Sequence, residues 1–142
     1  GVIAIEFFYG SEGLLVNEIA PRTHNSAHFS IEACMSSQFD QQVCIAAGLS
    51  LPSTELIAPG ALMVNLLGIA KDKCSSLDQR VNEINNVNGA NLHWYGKKEE
   101  KPGRKLGHVT FLLNESDSKA RREEAMTALK TIRSIWPIIA KN

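Results

Sequence analysis

At 142 residues the chain has the length of one domain, or of two small lobes sharing a core. Its 15 lysines and arginines cancel its 15 aspartates and glutamates, so no global field argues for nucleic acid or a membrane surface. Apolar content of 44% and charged content of 21% are those of a soluble globular protein, and no apolar run approaches a membrane span.

Val2 to Tyr9 is rich in β-branched and aromatic residues and reads as a strand, with a second from Leu14 to Glu18. The chain enters that first strand with no methionine and no lead-in, which suggests a piece of something longer. Gly10-Ser11-Glu12-Gly13 joins the two strands. A three-residue loop from Ser11 to Gly13 pairs Gly10 with Leu14, and hence Glu6 with Glu18 on one face. A two-residue loop would instead set Glu6 against Asn17 and send Glu18 to the other face. Opposed carboxylates repel unless a cation or proton lies between them, and oxygen ligands of this kind suit magnesium.

The next stretch, Asn17 to His28, is Asn-Glu-Ile-Ala-Pro-Arg-Thr-His-Asn-Ser-Ala-His, and holds the densest polar chemistry in the chain. A carboxylate, a guanidinium, two imidazoles, amides and a hydroxyl offer little to a core and much to a small polar ligand. Ile19 to His28 reads as a loop, Ser30 as a helix N-cap, Ile31 to Ala47 as a helix and Gly48 as its stop. The loop would then end on a helix N-terminus able to receive an anion. Leu49 to Glu55 is a turn-rich connector and the candidate boundary between lobes.

Beyond it, Ala61 to Leu67 reads as a buried strand with Asn65 as its polar exception. A short helix is predicted from Leu77 to Val87, with strands at Asn91 to Tyr95 and Leu106 to Leu113. Asp117 or Ser118 opens a final amphipathic helix whose apolar positions include Ala125, Leu129, Ile132 and Trp136, before Pro137. His93 and His108 read as structural histidines, and Trp94 as core. Cys34, Cys44 and Cys74 match no zinc spacing, so free thiols in a reducing cytoplasm are expected, with Cys34 and Cys44 buried as small hydrophobes. Gly96 to Lys105 carries five lysines and arginines in ten positions around Pro102-Gly103. A solvated turn is its plain reading, and a phosphate-binding loop the sharper one.

Taken together, Glu6 in "AIEFF", "NEIAPRTHNSAH", "SQFDQQ", "MVNLLG", "LHWYGK" and "KPGRKLGH" resemble the ATP-grasp enzyme 5-(carboxyamino)imidazole ribonucleotide synthase, the PurK family, across the whole chain. The His24-Asn25-Ser26 element after Ala20-Pro21-Arg22 is the specific part of the match. The resemblance implies a ligase that uses ATP to form carboxyphosphate from bicarbonate, then carboxylates the amine of aminoimidazole ribonucleotide in purine biosynthesis. It implies ATP and Mg2+ as cofactors, with Glu6 and Glu18 as magnesium-binding glutamates. Arg22, His24 and Asn25 match residues around the bicarbonate or carboxyphosphate, and Lys97 and Arg104 match residues holding the ribonucleotide phosphate, with Lys105 beside them. Departures from the family pattern are Thr23 and Ala27, where proline and glycine are usual, and Lys101, where arginine is usual. Ala20 stands where many ATP-grasp proteins place an asparagine metal ligand, as in this family.

The fold implied is α+β, with residues 1–55 forming the carboxy-terminal part of an ATP-grasp sheet and its helix. Residues 56–142 would make a small antiparallel β lobe closed by the final helix. The resemblance implies an amino-terminal domain and an adenine-covering ATP-grasp portion that this sequence does not contain, and no Gly-rich phosphate loop is present either; the chain is therefore expected to carry half of a composite site and to be inactive alone, with a homodimer as the state of the intact enzyme. A rival reading is a non-catalytic phosphate-ligand or dimerisation module of the same fold. Nucleic-acid binding through Lys97 to Lys105 is disfavoured by the neutral charge and by having only Trp94 and Tyr95 as adjoining stacking groups.

Overall fold

The computed structural model describes residues 1–69, 75–97 and 99–138. Lys71 and Cys74, from the polar stretch after the first lobe-two strand, and Lys98 of the basic loop lie outside them. The architecture is α+β, and the chain divides into two compact units, Gly1–Ile57 and Ala58–Asn142.

Unit 1 begins with an antiparallel ribbon of β1 (Ala4–Gly10) and β2 (Gly13–Ala20). The connection is the two-residue step from Gly10 to its partner Gly13, whose φ of 83° places it in the left-handed region. That step alone would put Glu6 opposite Asn17. The register slips by one residue between Phe7↔Val16 and Glu6↔Glu18, leaving Asn17 as an extra residue on β2. A β-bulge therefore restores the facing carboxylates that the three-residue loop was expected to give. The face opposite the glutamates carries Ile5, Phe7, Tyr9, Leu14, Val16 and Ile19, all exposed. Among apolar residues of the unit, only Ala20 and Ala33 are buried.

The helix expected from Ile31 to Ala47 is two helices, α1 (Ser30–Ala33) and α2 (Gln38–Ala47). Ser30 is the first helical residue rather than the cap; Phe29 occupies the N-cap position and makes no side-chain cap bond. Two local interactions outcompete helix continuation. Cys34 is extended (φ −118°, ψ 156°) and bridges to Leu56, flanked by Met35 N–H donating to Glu55 O and Ile57 N–H donating to Ala33 O. Ser37 then starts a fresh helix through a capping box with Asp40, which is the S-x-x-D signal present in the sequence. A four-residue α1 offers no helix-dipole site for an anion, so the expected anion-receiving exit of the loop is not formed. Gly48 ends α2 with a φ of 67°. Cys34 and Cys44 are free and half-buried.

Unit 2 is a three-stranded antiparallel sheet in the order β3 (Gly60–Leu67), β5 (Lys105–Leu113), β4 (Asn91–Trp94). Helices α3 (Leu77–Asn85) and α4 (Ser118–Ile135) pack with it around Val64, Leu66, Ile84, Val109, Ile132 and Trp136. Asp117 caps α4 by accepting from the Lys119 and Ala120 amides. A slip between Leu66↔Gly107 and Leu67↔Lys105 leaves Leu106 as a bulge residue, and it joins the core. One register row holds Asn65, His108 and His93, with the two imidazoles stacked at 4.6 Å and Tyr95 Oη 2.8 Å from His108 Nδ1. His108 is thus buried on the central strand, while His93 is half-buried on the edge strand β4. Trp94 packs on the core beside Trp136, at 6.0 Å between centroids. No helix among the described residues is long and apolar enough to cross a membrane.

Candidate functional site

Within unit 1 the ribbon register brings Glu6 and Glu18 together, and the following loop carries His24 to them. One ligand atom from each of Glu6, Glu18 and His24 lies within 4.8 Å of the others. His24 is 9% exposed, with Nδ1 3.3 Å from Glu6 Oε1 and Nε2 3.8 Å from Glu18 Oε2. Its Nδ1 accepts the Ser26 amide hydrogen at 3.3 Å, which puts the proton of the neutral ring on Nε2, toward Glu18. Glu6 is further fixed by Ser26 Oγ, which donates to Oε1 at 2.5 Å, and by the bulge residue Asn17, whose Nδ2 donates to Oε2 at 3.2 Å.

Pro21 ends the strand, and Arg22 follows with its amide donating to Ala20 O at 2.8 Å. Its guanidinium donates to Thr23 O at 3.0 Å and stands 3.6 Å from Glu18 Oε1, with both side chains about half exposed (62% and 47%). An exposed pair of that length contributes little to stability and leaves the fork available for a ligand. Asn25 opens a 3-10 turn (Asn25–Ala27) capped by the His24 ring. Glu6, Glu18, Arg22, His24 and Asn25 thus fall on one ribbon face and the adjoining loop.

The second group belongs to unit 2. Tyr95 follows β4, Gly96 turns with a φ of 66°, and Lys97 Nζ donates to Lys105 O at 2.6 Å while lying 5.5 Å from the Tyr95 ring centre. Arg104, just before β5, and Lys105, its first residue, are exposed. The loop that carries them is anchored from beneath. Gly68 N–H donates to Arg104 O at 2.8 Å, and Gly103 N–H donates to Gly68 O at 3.0 Å. A Cβ at Gly68 would lie 2.1 Å from Lys101 O, so only glycine fits there. Glu100 accepts the Ile69 amide at 2.9 Å and pairs with Arg80 Nη2 at 2.7 Å. Arg80 is 2% exposed, and its guanidinium lies 4.2 Å over the Trp136 ring. Sequence reasoning missed this anchor, because a helical arginine and a loop glutamate twenty positions apart carry no pairing signal.

Two family models match: the ATP-grasp domain over residues 1–39 and the phosphoribosylaminoimidazole carboxylase C-terminal domain over residues 61–122. A curated N5-carboxyaminoimidazole ribonucleotide synthase from Synechococcus elongatus is 51% identical over 137 residues, covering 96% of this chain and 34% of that protein. Along 96% of its length the chain is similar to N5-carboxyaminoimidazole ribonucleotide synthases, the PurK family. It spans about a third of the length of the family members it matches. The crystal structure of a phosphoribosylaminoimidazole carboxylase ATPase subunit from Aquifex aeolicus is 35% identical, with a TM-score of 0.76 over 96% of this chain and 38% of that one. That of the Aspergillus clavatus N5-carboxyaminoimidazole synthase, in complex with ADP and 5-aminoimidazole ribonucleotide, is 31% identical, with a TM-score of 0.80 over 98% of this chain and 35% of that one. The fold is therefore that of the PurK ATP-grasp region and the domain that follows it.

Proposed function

We propose that this chain supplies one part of a cytoplasmic ATP-dependent carbon–nitrogen ligase that carboxylates aminoimidazole ribonucleotide with bicarbonate through carboxyphosphate. Residues 1–55 would contribute the ATP-grasp portion and 56–142 the small lobe. The observation that carries the reading is the facing pair Glu6 and Glu18, held by a bulge and accompanied by a buried His24. A strand pair that sets two carboxylates opposite each other gains nothing from them without a cation.

The donor set fits magnesium: two carboxylates on one face, each with an oxygen near the other's. Glu6 and Glu18 would hold the ion, which when bound offsets charge on the ATP phosphates. Arg22, with its fork exposed, is suited to the anionic oxygens of bicarbonate or carboxyphosphate. His24, with its Nε2 proton on the Glu18 side, can donate to the same anion or move a proton at that nitrogen. Asn25 adds a neutral amide beside them. Carboxyphosphate is reactive in water, so fixed donors around it serve both to stabilise it and to exclude solvent. Lys97, Arg104 and Lys105 would hold the phosphate of the ribonucleotide; the bidentate fork of Arg104 matches phosphate geometry, and the two lysines add point charges. ADP and 5-aminoimidazole ribonucleotide in the Aspergillus clavatus relative support both ligands. A homodimer is the proposed state of the intact enzyme, and isolated activity is not expected.

The test uses Mn2+ as a reporter for magnesium, followed by water-proton relaxation. The chain should bind Mn2+ in competition with Mg2+, and Glu6→Gln or Glu18→Gln should each weaken binding about tenfold or more. Unchanged Mn2+ affinity in both variants would overturn the assignment. It would favour instead a non-catalytic phosphate-ligand module, for which a ribonucleotide monophosphate binds without magnesium.

A further inference from the structure

We propose that Gln38 is the positioning residue of His24, acting through a two-point grip on the His24 main chain. Gln38 is the first residue of α2, and its own backbone is set by the Ser37 cap and by its amide donating to Ser30 Oγ at 3.0 Å. Its side-chain amide leaves the helix and meets the loop. Oε1 accepts the His24 N–H at 2.8 Å, and Nε2 donates to His24 O at 2.8 Å.

His24 has strand-like dihedrals (φ −131°, ψ 148°) but belongs to no strand. The N–H and C=O of an extended residue point to the same side, where a neighbouring strand would normally pair with both. The Gln38 amide takes that neighbour's place with one acceptor and one donor. Its second hydrogen meets His28 Nδ1 at 2.7 Å, so both Nε2 hydrogens are used. The other lone pair of His24 O takes the Ala27 amide at 3.1 Å.

Residue chemistry at position 38 is therefore narrow. Glutamate has the shape but no donor, and would set a carboxylate against His24 O. Methionine has the length but neither group. Asparagine is one methylene short from the same helical Cα. The consequence is local: with the His24 ring buried, fixing its main chain fixes where the ring stands between Glu6 and Glu18. The functional meaning of the grip rests on the proposed role of His24 at the carboxyphosphate, whereas the grip itself does not.

The experiment is NMR on the metal-free 142-residue chain. In the wild type we expect a through-hydrogen-bond coupling between the His24 amide nitrogen and the Gln38 side-chain carbonyl carbon. The His24 amide should exchange with solvent more slowly than that of Asn25. Nuclear Overhauser contacts from the His24 ring to the Glu6 and Ser26 side chains should be present, then lost in Gln38→Met and Gln38→Glu while His93 ring signals stay unchanged. If a variant fails to fold, the wild-type coupling and exchange decide. Absence of the coupling together with fast His24 exchange overturns the proposal, as does retention of the ring contacts in both variants. A chain that shows the coupling but binds no Mn2+ supports the grip and removes only the functional reading.

Discussion

Asp40 shows how one side chain divides a predicted helix in two and ties that division to pH. Its Oδ2 accepts from Ser37 N–H at 2.8 Å and from Ser37 Oγ at 2.7 Å. These bonds hold its carboxyl below the ordinary value of 3.8, the hydroxyl bond contributing most, then the amide bond, against a small opposing effect of burial. A depressed folded pKa means that the cap's contribution is present above the unfolded value and is lost as pH falls through the folded one. The Ser37 amide signal should therefore titrate with a midpoint below 3.8, and Asp40→Asn should remove that titration. A midpoint at or above that value would contradict the capping geometry. The facing of Glu6 and Glu18 was legible in the sequence, yet its cause was not: two loop lengths were readable, while the bulge at Asn17 depends on pairing along the whole ribbon. The Ser37–Asp40 capping box was present in the sequence, but the single helix read from Ile31 to Ala47 runs straight through it.

At the scale of elements, unit 2 was the more legible half. Its strands and helices follow from alternation, from the Asp117 cap and from the apolar face of α4, all of which are local signals. What was not legible is how the basic loop is held. Arg80 on α3, Glu100 in the loop and Trp136 at the end of α4 are brought together only by the fold of the whole unit, where Trp136 Nε1 also donates to Leu67 O at 2.7 Å. Removing one partner of a buried, hydrogen-bonded ion pair strands the other's charge. Glu100→Ala and Arg80→Met should therefore each destabilise unit 2 by about 3–5 kcal/mol, read by urea unfolding. The double variant should recover part of that loss. Additive losses in the double variant would show that the two side chains are not coupled. The expected anion site at the loop exit failed for a related reason, since the extended Cys34 pairing with Leu56 limits α1 to one turn.

For the whole molecule, the two units contrast in how they are stabilised. Unit 2 has a closed apolar cluster, whereas unit 1 exposes Phe7, Phe8, Tyr9, Leu14 and Leu15 from a two-stranded ribbon and buries two alanines. A ribbon of that kind is marginal alone in water. The curated relatives it matches are about three times as long. Under the proposed function, Glu6, Glu18, Arg22 and His24 would serve the carboxylating step and Lys97, Arg104 and Lys105 would hold the ribonucleotide phosphate. The most direct test replaces the matching third of the Synechococcus elongatus synthase with this chain and measures ADP formation with bicarbonate and aminoimidazole ribonucleotide. Ribonucleotide-dependent ADP formation that Glu18→Gln abolishes is the expected result. A chimera that folds and binds ATP but forms no ADP in response to the ribonucleotide would contradict it.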